Sequence, residues 1–153
     1  MISEICAELR NYFLRDYSYP DQFLHSGAYV IADGRIQSLP FLKEGQYFRI
    51  VGSTFNDGVH KYRDALETLT DETFNGTIWE MFVDKDFLAL VKEIADWRTA
   101  NAAMLDSPYQ SETYNGYSRT LKSGAGGAVD GGIYGWKTQF AGRLSKYRRT
   151  REI

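Results

Sequence analysis

Residues 28–83 are punctuated by three turn signals, Asp33-Gly34, Asn56-Asp57-Gly58 and Asn75-Gly76, and between them lie short runs of β-branched and aromatic residues. Asn-Gly and Asp-Gly pairs tolerate the positive φ that tight hairpins require, so this texture restricts the segment to antiparallel strands joined by short turns. The runs expected as strands are Ala28–Ala32, Ile36–Leu39, Gln46–Gly52, Val59–Tyr62, Ala65–Leu69, Glu72–Phe74 and Thr77–Val83. Together they predict a small, strongly bent antiparallel sheet or partly open barrel. Pro40 and Gly45 fall between runs, where strands tolerate them.

Helical periodicity brackets this β-module. Ile2, Ile5, Leu9 and Phe13 predict an amphipathic helix from Ile2 to about Leu14, broken by Tyr17-Ser18-Tyr19-Pro20-Asp21. Asp84 is placed to cap a core helix running from Lys85 to about Ala103, with Phe87, Leu90, Val91, Ile94 and Trp97 on one stripe. Residues 107–133 are rich in glycine and tyrosine, with five glycines among the nine residues from Gly124 to Gly132, and are expected to form a flexible loop. A last helix is expected from Tyr134 to about Arg149, carrying Trp136, Phe140, Leu144 and Tyr147 on one face and a basic remainder. The fold class expected is α+β. Residues 1–106 form a single core holding the β-module at 28–83, residues 107–133 the loop, and residues 134–153 a C-terminal basic amphipathic helix.

A chain of 153 residues suffices for one domain with a real core. Its apolar runs fall far short of the roughly 20 residues that cross a bilayer, and the opening Met1-Ile2-Ser3-Glu4 lacks the basic start of a signal peptide. A soluble, intracellular product is therefore expected, without membrane contact. The net charge of −2 conceals an acidic middle and a basic end: residues 64–106 hold 10 acidic and 3 basic side chains, residues 107–153 hold 3 and 8. Such an asymmetry suits head-to-tail contact between copies, or contact of the tail with an acidic partner. The 11 tyrosines favour contact surfaces, because each joins an apolar body to a polar tip.

Residue types that carry catalysis are not spaced for it. His25 and His60 form no HxxxH or HExxH pattern, and no second cysteine joins Cys6, so no metal or cofactor is expected. Cys6 shares the apolar face of the first helix and reads as a buried hydrophobe. The neighbouring carboxylates Asp71 and Glu72 resemble a glycosidase pair in kind, but their turn position favours capping. The glycine-rich run lacks the Lys-Ser or Lys-Thr of a phosphate loop at the required spacing. No catalytic residue is assigned, and the chain is not expected to be an enzyme. The basic residues Arg143, Arg148 and Arg149 would suit protein contact or, alternatively, DNA phosphates.

The string Ser111-Glu112-Thr113-Tyr114-Asn115-Gly116-Tyr117-Ser118 resembles an S-E-x-x-G-x-Y-S segment that follows the last core helix in head-tail connector proteins of tailed bacteriophages and prophages, with one more residue between Glu112 and Gly116. Gln46 to Gly58, followed by Asp71 to Trp79, is similar to a β-module in structural proteins of phages from Gram-positive hosts. The commonest connectors are nearly all helical, so residues 28–83 depart from their pattern. The resemblance implies a non-enzymatic virion protein at the head-tail interface, made in the host cytoplasm, that assembles as a ring on the portal protein and receives tail-side connector proteins. Tyr109, Glu112, Tyr114, Gly116, Tyr117 and Tyr134 are then candidate docking residues, with plain loop packing as the alternative for the tyrosines. Arg143, Arg148 and Arg149 are candidate contacts at the basic end. A DNA-contacting packaging or gate protein that uses this end is the alternative function.

Overall fold

A computed structural model describes residues 1–103, 109–112, 119–121 and 135–151. The chain divides into two compact units, one made of Ile2–Lys85 with the segment beginning at Arg149, the other of Met1 and Asp86–Arg148.

The first unit is built on an antiparallel sheet of β1 (Leu24–Ala32), β2 (Arg35–Ile36), β3 (Tyr47–Val51), β4 (Gly58–Lys61) and β5 (Glu72–Glu80), curled into a half-barrel in the order β2-β1-β5-β3-β4. The α+β class and the partly open sheet agree with the sequence expectation. Asp33 (φ 54°) and Gly34 (φ 77°) turn the chain from β1 into β2, as their chemistry predicts.

Asn75-Gly76 behaves otherwise. It lies within β5, which continues unbroken and pairs with β1 from Leu24↔Trp79 to Ile31↔Glu72, merging two of the expected strands. Ala65–Leu69 is not a strand either. Asp64 holds a turn there by accepting the Leu66 N–H, and Leu66 is 96% exposed.

One face of the sheet buries Tyr29, Ile31, Phe48, Ile50, Phe74 and Ile78 together with Leu39, Leu42 and Tyr62. Each large apolar side chain so buried contributes about 1.5–3 kcal/mol. The Tyr62 hydroxyl accepts the Leu39 N–H at 2.9 Å, so the core's polar tip is satisfied.

Helix α1 (Ile2–Leu9) packs along β4, and its Ser3 Oγ accepts the Val59 N–H at 3.1 Å. It buries Ile5, Cys6 and Leu9, and burial pushes the Cys6 thiol up to about 12, which leaves it inert. The helix ends five residues earlier than its periodicity suggests. Arg10 takes a left-handed conformation (φ 54°), its N–H donates to Ala7 O and the Asn11 N–H to Cys6 O, which is the Schellman ending. Arginine occupies the place where glycine is usual, so no residue type announced the stop.

In the second unit, α2 (Lys85–Ala100) buries Phe87, Leu90 and Ile94, matching the expected stripe. Asp86 in its first turn and Arg98 in its last complement the helix dipole. The single C-terminal helix expected from Tyr134 to Arg149 is instead three short pieces: α3 (Trp136–Gln139), α4 (Ala141–Leu144) and a 3-10 turn (Ser145–Tyr147). Gly135 at the N-cap has no side chain to bond, Phe140 leaves helical geometry (φ −108°, ψ 10°), and Gly142 disfavours helix. Its apolar spacing still directs packing, with Phe140 edge-on to Trp97 (5.8 Å between centroids) and Tyr147 edge-on to Phe87 (4.9 Å). Strands β6 (Tyr109–Glu112) and β7 (Arg119–Leu121) form a separate two-stranded antiparallel sheet.

Candidate functional site

The connection from β3 to β4 is held by a dense set of side-chain hydrogen bonds. Ser53 Oγ accepts from the Phe55 and Asn56 N–H groups, and Asp57 accepts from Ser53 N–H at 2.7 Å. Asn56, only 4% exposed, ties this loop to the strand entry opposite: its Nδ2 donates to Thr70 O and to Glu72, and its Oδ1 accepts the Thr70 N–H. The Glu72 carboxylate also takes the N–H groups of Thr54 and Phe55. Burial pushes Glu72 upward, but donors from Ser53, Thr54, Phe55 and Asn56 outweigh it and hold the carboxyl below its usual 4.5. On this frame stands Phe55, 67% exposed. A rigid loop that presents a bare aromatic ring loses little entropy on docking, the property of an interface anchor.

Asp71 accepts the N–H groups of Asp33 and Gly34 at 3.1 and 2.8 Å, stapling the β1–β2 turn. Asp71 and Glu72 are thus each engaged by backbone donors of different loops, at the entry to β5 and not at a helix start.

His60 joins the same network. Its Nδ1 faces the Glu67 carboxylate and its Nε2 the Asn56 carbonyl, so both ring nitrogens meet acceptors and only the doubly protonated ring can donate to both. Burial works against the charge, but Glu67 and the Asn56 carbonyl prevail and raise the His60 pKa above 6.5. Burial likewise opposes the Glu67 charge, while His60 and the Lys61 N–H hold that carboxyl below 4.5.

The His60 contribution to stability is complete below pH 6.5 and is lost as pH rises through its raised value. That of Glu67 is present above 4.5 and lost on acidification. The urea midpoint is therefore expected to fall as pH is raised from 6 toward 8, and His60→Gln to flatten that decline; an unchanged slope in the variant would contradict this pairing. The cleft beside His60 is small, about 180 Å³, and among the described residues its lining holds no serine, threonine or cysteine for an imidazole to activate.

His25 lies elsewhere, stacked on Phe41 with centroids 3.8 Å apart. Among the described residues no three His, Cys, Asp or Glu side chains are grouped to hold a metal ion, and no helix is long and apolar enough to cross a membrane.

The residues singled out from sequence are dispersed. Arg143 forms an ion pair with Glu93 of α2. Arg148 is exposed. Arg149 belongs to the first unit, where its N–H donates to Leu9 O at 2.9 Å and its guanidinium lies 3.4 Å from the Tyr17 ring centroid. Tyr109 and Glu112 sit at the two ends of β6. Tyr114, Gly116, Tyr117 and Tyr134 lie outside the described residues. Sequence reasoning missed Phe55, because nothing local distinguishes an aromatic residue held out by a loop from one folded in.

No protein-family profile matches this chain, and no curated protein or solved structure is significantly similar to it.

Proposed function

We propose that this chain is a structural protein of tailed bacteriophages or prophages that joins the head, through its portal, to the tail, assembling as a ring through protein-protein contacts. One observation carries the reading. The first two residues of the connector-like string, Ser111 and Glu112, lie in β6, which pairs with β7 in a two-stranded sheet distinct from the main one. A two-stranded ribbon is marginal by itself in water and gains from a partner that covers it. The exposed Phe55 on its rigid loop supports the same reading. Engagement of Arg143 by Glu93 and of Arg149 by Tyr17 favours protein contacts over a DNA-binding tail.

Electron microscopy of the purified protein mixed with its portal protein is expected to show a ring stacked on the portal. The absence of any complex, together with normal head-tail joining in phage that lack the gene, would overturn the proposal. Phe55→Ser is expected to change monomer stability by no more than about 0.5 kcal/mol. The same variant should weaken the portal complex about tenfold or more. Titration by light scattering measures the second effect.

A further inference from the structure

Arg49 and Val51 alternate along β3 with the core residues Phe48 and Ile50, and so face away from the core cluster. Arg49 is paired in register with Trp79 of β5. Its guanidinium carbon lies 3.7 Å from the Tyr12 ring centroid and 4.3 Å from that of Trp79, in the corner made by two rings that meet edge-on, 5.6 Å apart at 70°. Tyr12 is itself positioned: its N–H donates to the Tyr17 hydroxyl at 2.8 Å, which donates in turn to Asn11 Oδ1 at 2.9 Å.

Tyr12, Tyr17, Arg49, Val51 and Trp79, with Arg10, line a cleft of about 290 Å³. Among the described residues the Arg49 guanidinium has neither a carboxylate partner nor a hydrogen-bond acceptor; its contacts are with ring faces, which offer no oxygen to its N–H groups. A half-buried cation held by two aromatic rings, with its donors unmatched, is a preorganised fork for a planar anion.

We propose that this cleft receives an acidic side chain, Asp or Glu, from a partner polypeptide, with the carboxylate on Arg49 and apolar atoms of the same segment against Tyr12 and Trp79. A carboxylate fits better than a nucleic acid. A phosphate backbone calls for a row of cations, whereas among the described residues the lining holds two, Arg10 and Arg49, and Arg149 nearby lies against the Tyr17 ring. The guanidinium already occupies one face of each of the Tyr12 and Trp79 rings, so no base can stack between the two. The proposal does not rest on the portal reading, and it stands or falls whichever way the portal experiment turns out.

The test is a titration of the full chain followed by the Arg49 Nε–H and Trp79 indole N–H signals in nitrogen-15 spectra. The probes are the blocked peptide acetyl-Glu-Phe-Glu-amide, its counterpart acetyl-Gln-Phe-Gln-amide, and oligothymidylate. Saturable shifts at both signals with the Glu peptide, and binding about tenfold weaker with the Gln peptide, are expected, as befits loss of a charge-assisted bond. In the Arg49 variants the Trp79 indole signal is the one read, and Arg49→Gln should abolish its response. Arg49→Lys, which keeps the charge and loses the fork, should weaken it several-fold while the remaining spectrum stays folded. Absence of saturable shifts, equal binding of the two peptides, an undiminished response in Arg49→Lys, or tighter binding of oligothymidylate at the same signals would each overturn the proposal.

Discussion

Gly76→Ala is expected to destabilise the protein by about 2–3 kcal/mol, lowering its melting temperature by roughly 8 °C. A Cβ at this position would lie 2.3 Å from the Val51 carbonyl oxygen and 3.1 Å from the Phe74 ring. The first neighbour is backbone, so β3 and β5 must separate where Val51 pairs with Thr77. The unfolded-chain entropy that alanine removes is worth about 0.4–1 kcal/mol in the other direction and does not offset the clash.

The control lies directly across the sheet. Gly27 is the register partner of Gly76, yet a Cβ there meets nothing nearer than the Tyr29 ring at 3.9 Å. Gly27→Ala is expected to stay within about 1 kcal/mol of the parent, on the stabilising side. Urea denaturation of both variants decides the matter, and equal losses would refute the close approach of β3 to Gly76.

Asn56→Ala is the second large expected effect, at about 2 kcal/mol. It removes both side-chain bonds to the Thr70 backbone and one to Glu72. Thr70 is exposed, so water recovers part of the loss, and the cost stays below that of a fully buried pair. Asn56→Asp keeps the acceptor for the Thr70 N–H but sets a second carboxylate against Glu72. It should therefore be more harmful at neutral pH than near pH 4, the reverse of the parent. In the parent, the Glu72 contribution is present above pH 4.5 and lost as pH falls through its lowered value. Denaturation midpoints at the two pH values test this. The amide signals of Thr54 and Phe55 should shift in both variants, because their acceptor Glu72 loses its anchor.

These two sites also show how far the chain can be read by eye. Asp33-Gly34 and Asn75-Gly76 carry the same local chemistry, and only the first is a turn. The difference lies in their neighbours: β1 pairs with β5 straight through Asn75 and Gly76, and β3 pairs with β5 from Thr77 onward, so the ladder overrides the turn preference of Asn75-Gly76. Glycine is needed there for close approach, which no single-strand pattern reveals. The ending of α1 at an arginine, and the break of the C-terminal segment near Phe140 and Gly142, are likewise decided by the surroundings of each segment. The core stripe of α2, by contrast, was legible because Phe87, Leu90 and Ile94 follow the helix period whatever they pack against.

For candidate sites the division is sharper. That Asp71 and Glu72 stand beside a turn could be read from sequence, but the loops whose N–H groups they accept, 16 to 38 residues away, could not. Nor could Phe55 and the Arg49 cleft. Phe55 is held outward by Asn56 reaching to Thr70, 14 residues away, and Arg49 meets Tyr12 and Trp79 only because β3 pairs with β5 and the segment after α1 folds over them. The sequence by itself determined what period and backbone preference dictate: an α+β chain, its core helix, the β1–β2 hairpin, and the burial of Cys6. The tertiary structure alone decided which turn signal became a strand, which aromatic ring faces water and which cation is held between two rings. Each of those outcomes depends on groups distant in sequence that only folding brings within bonding range.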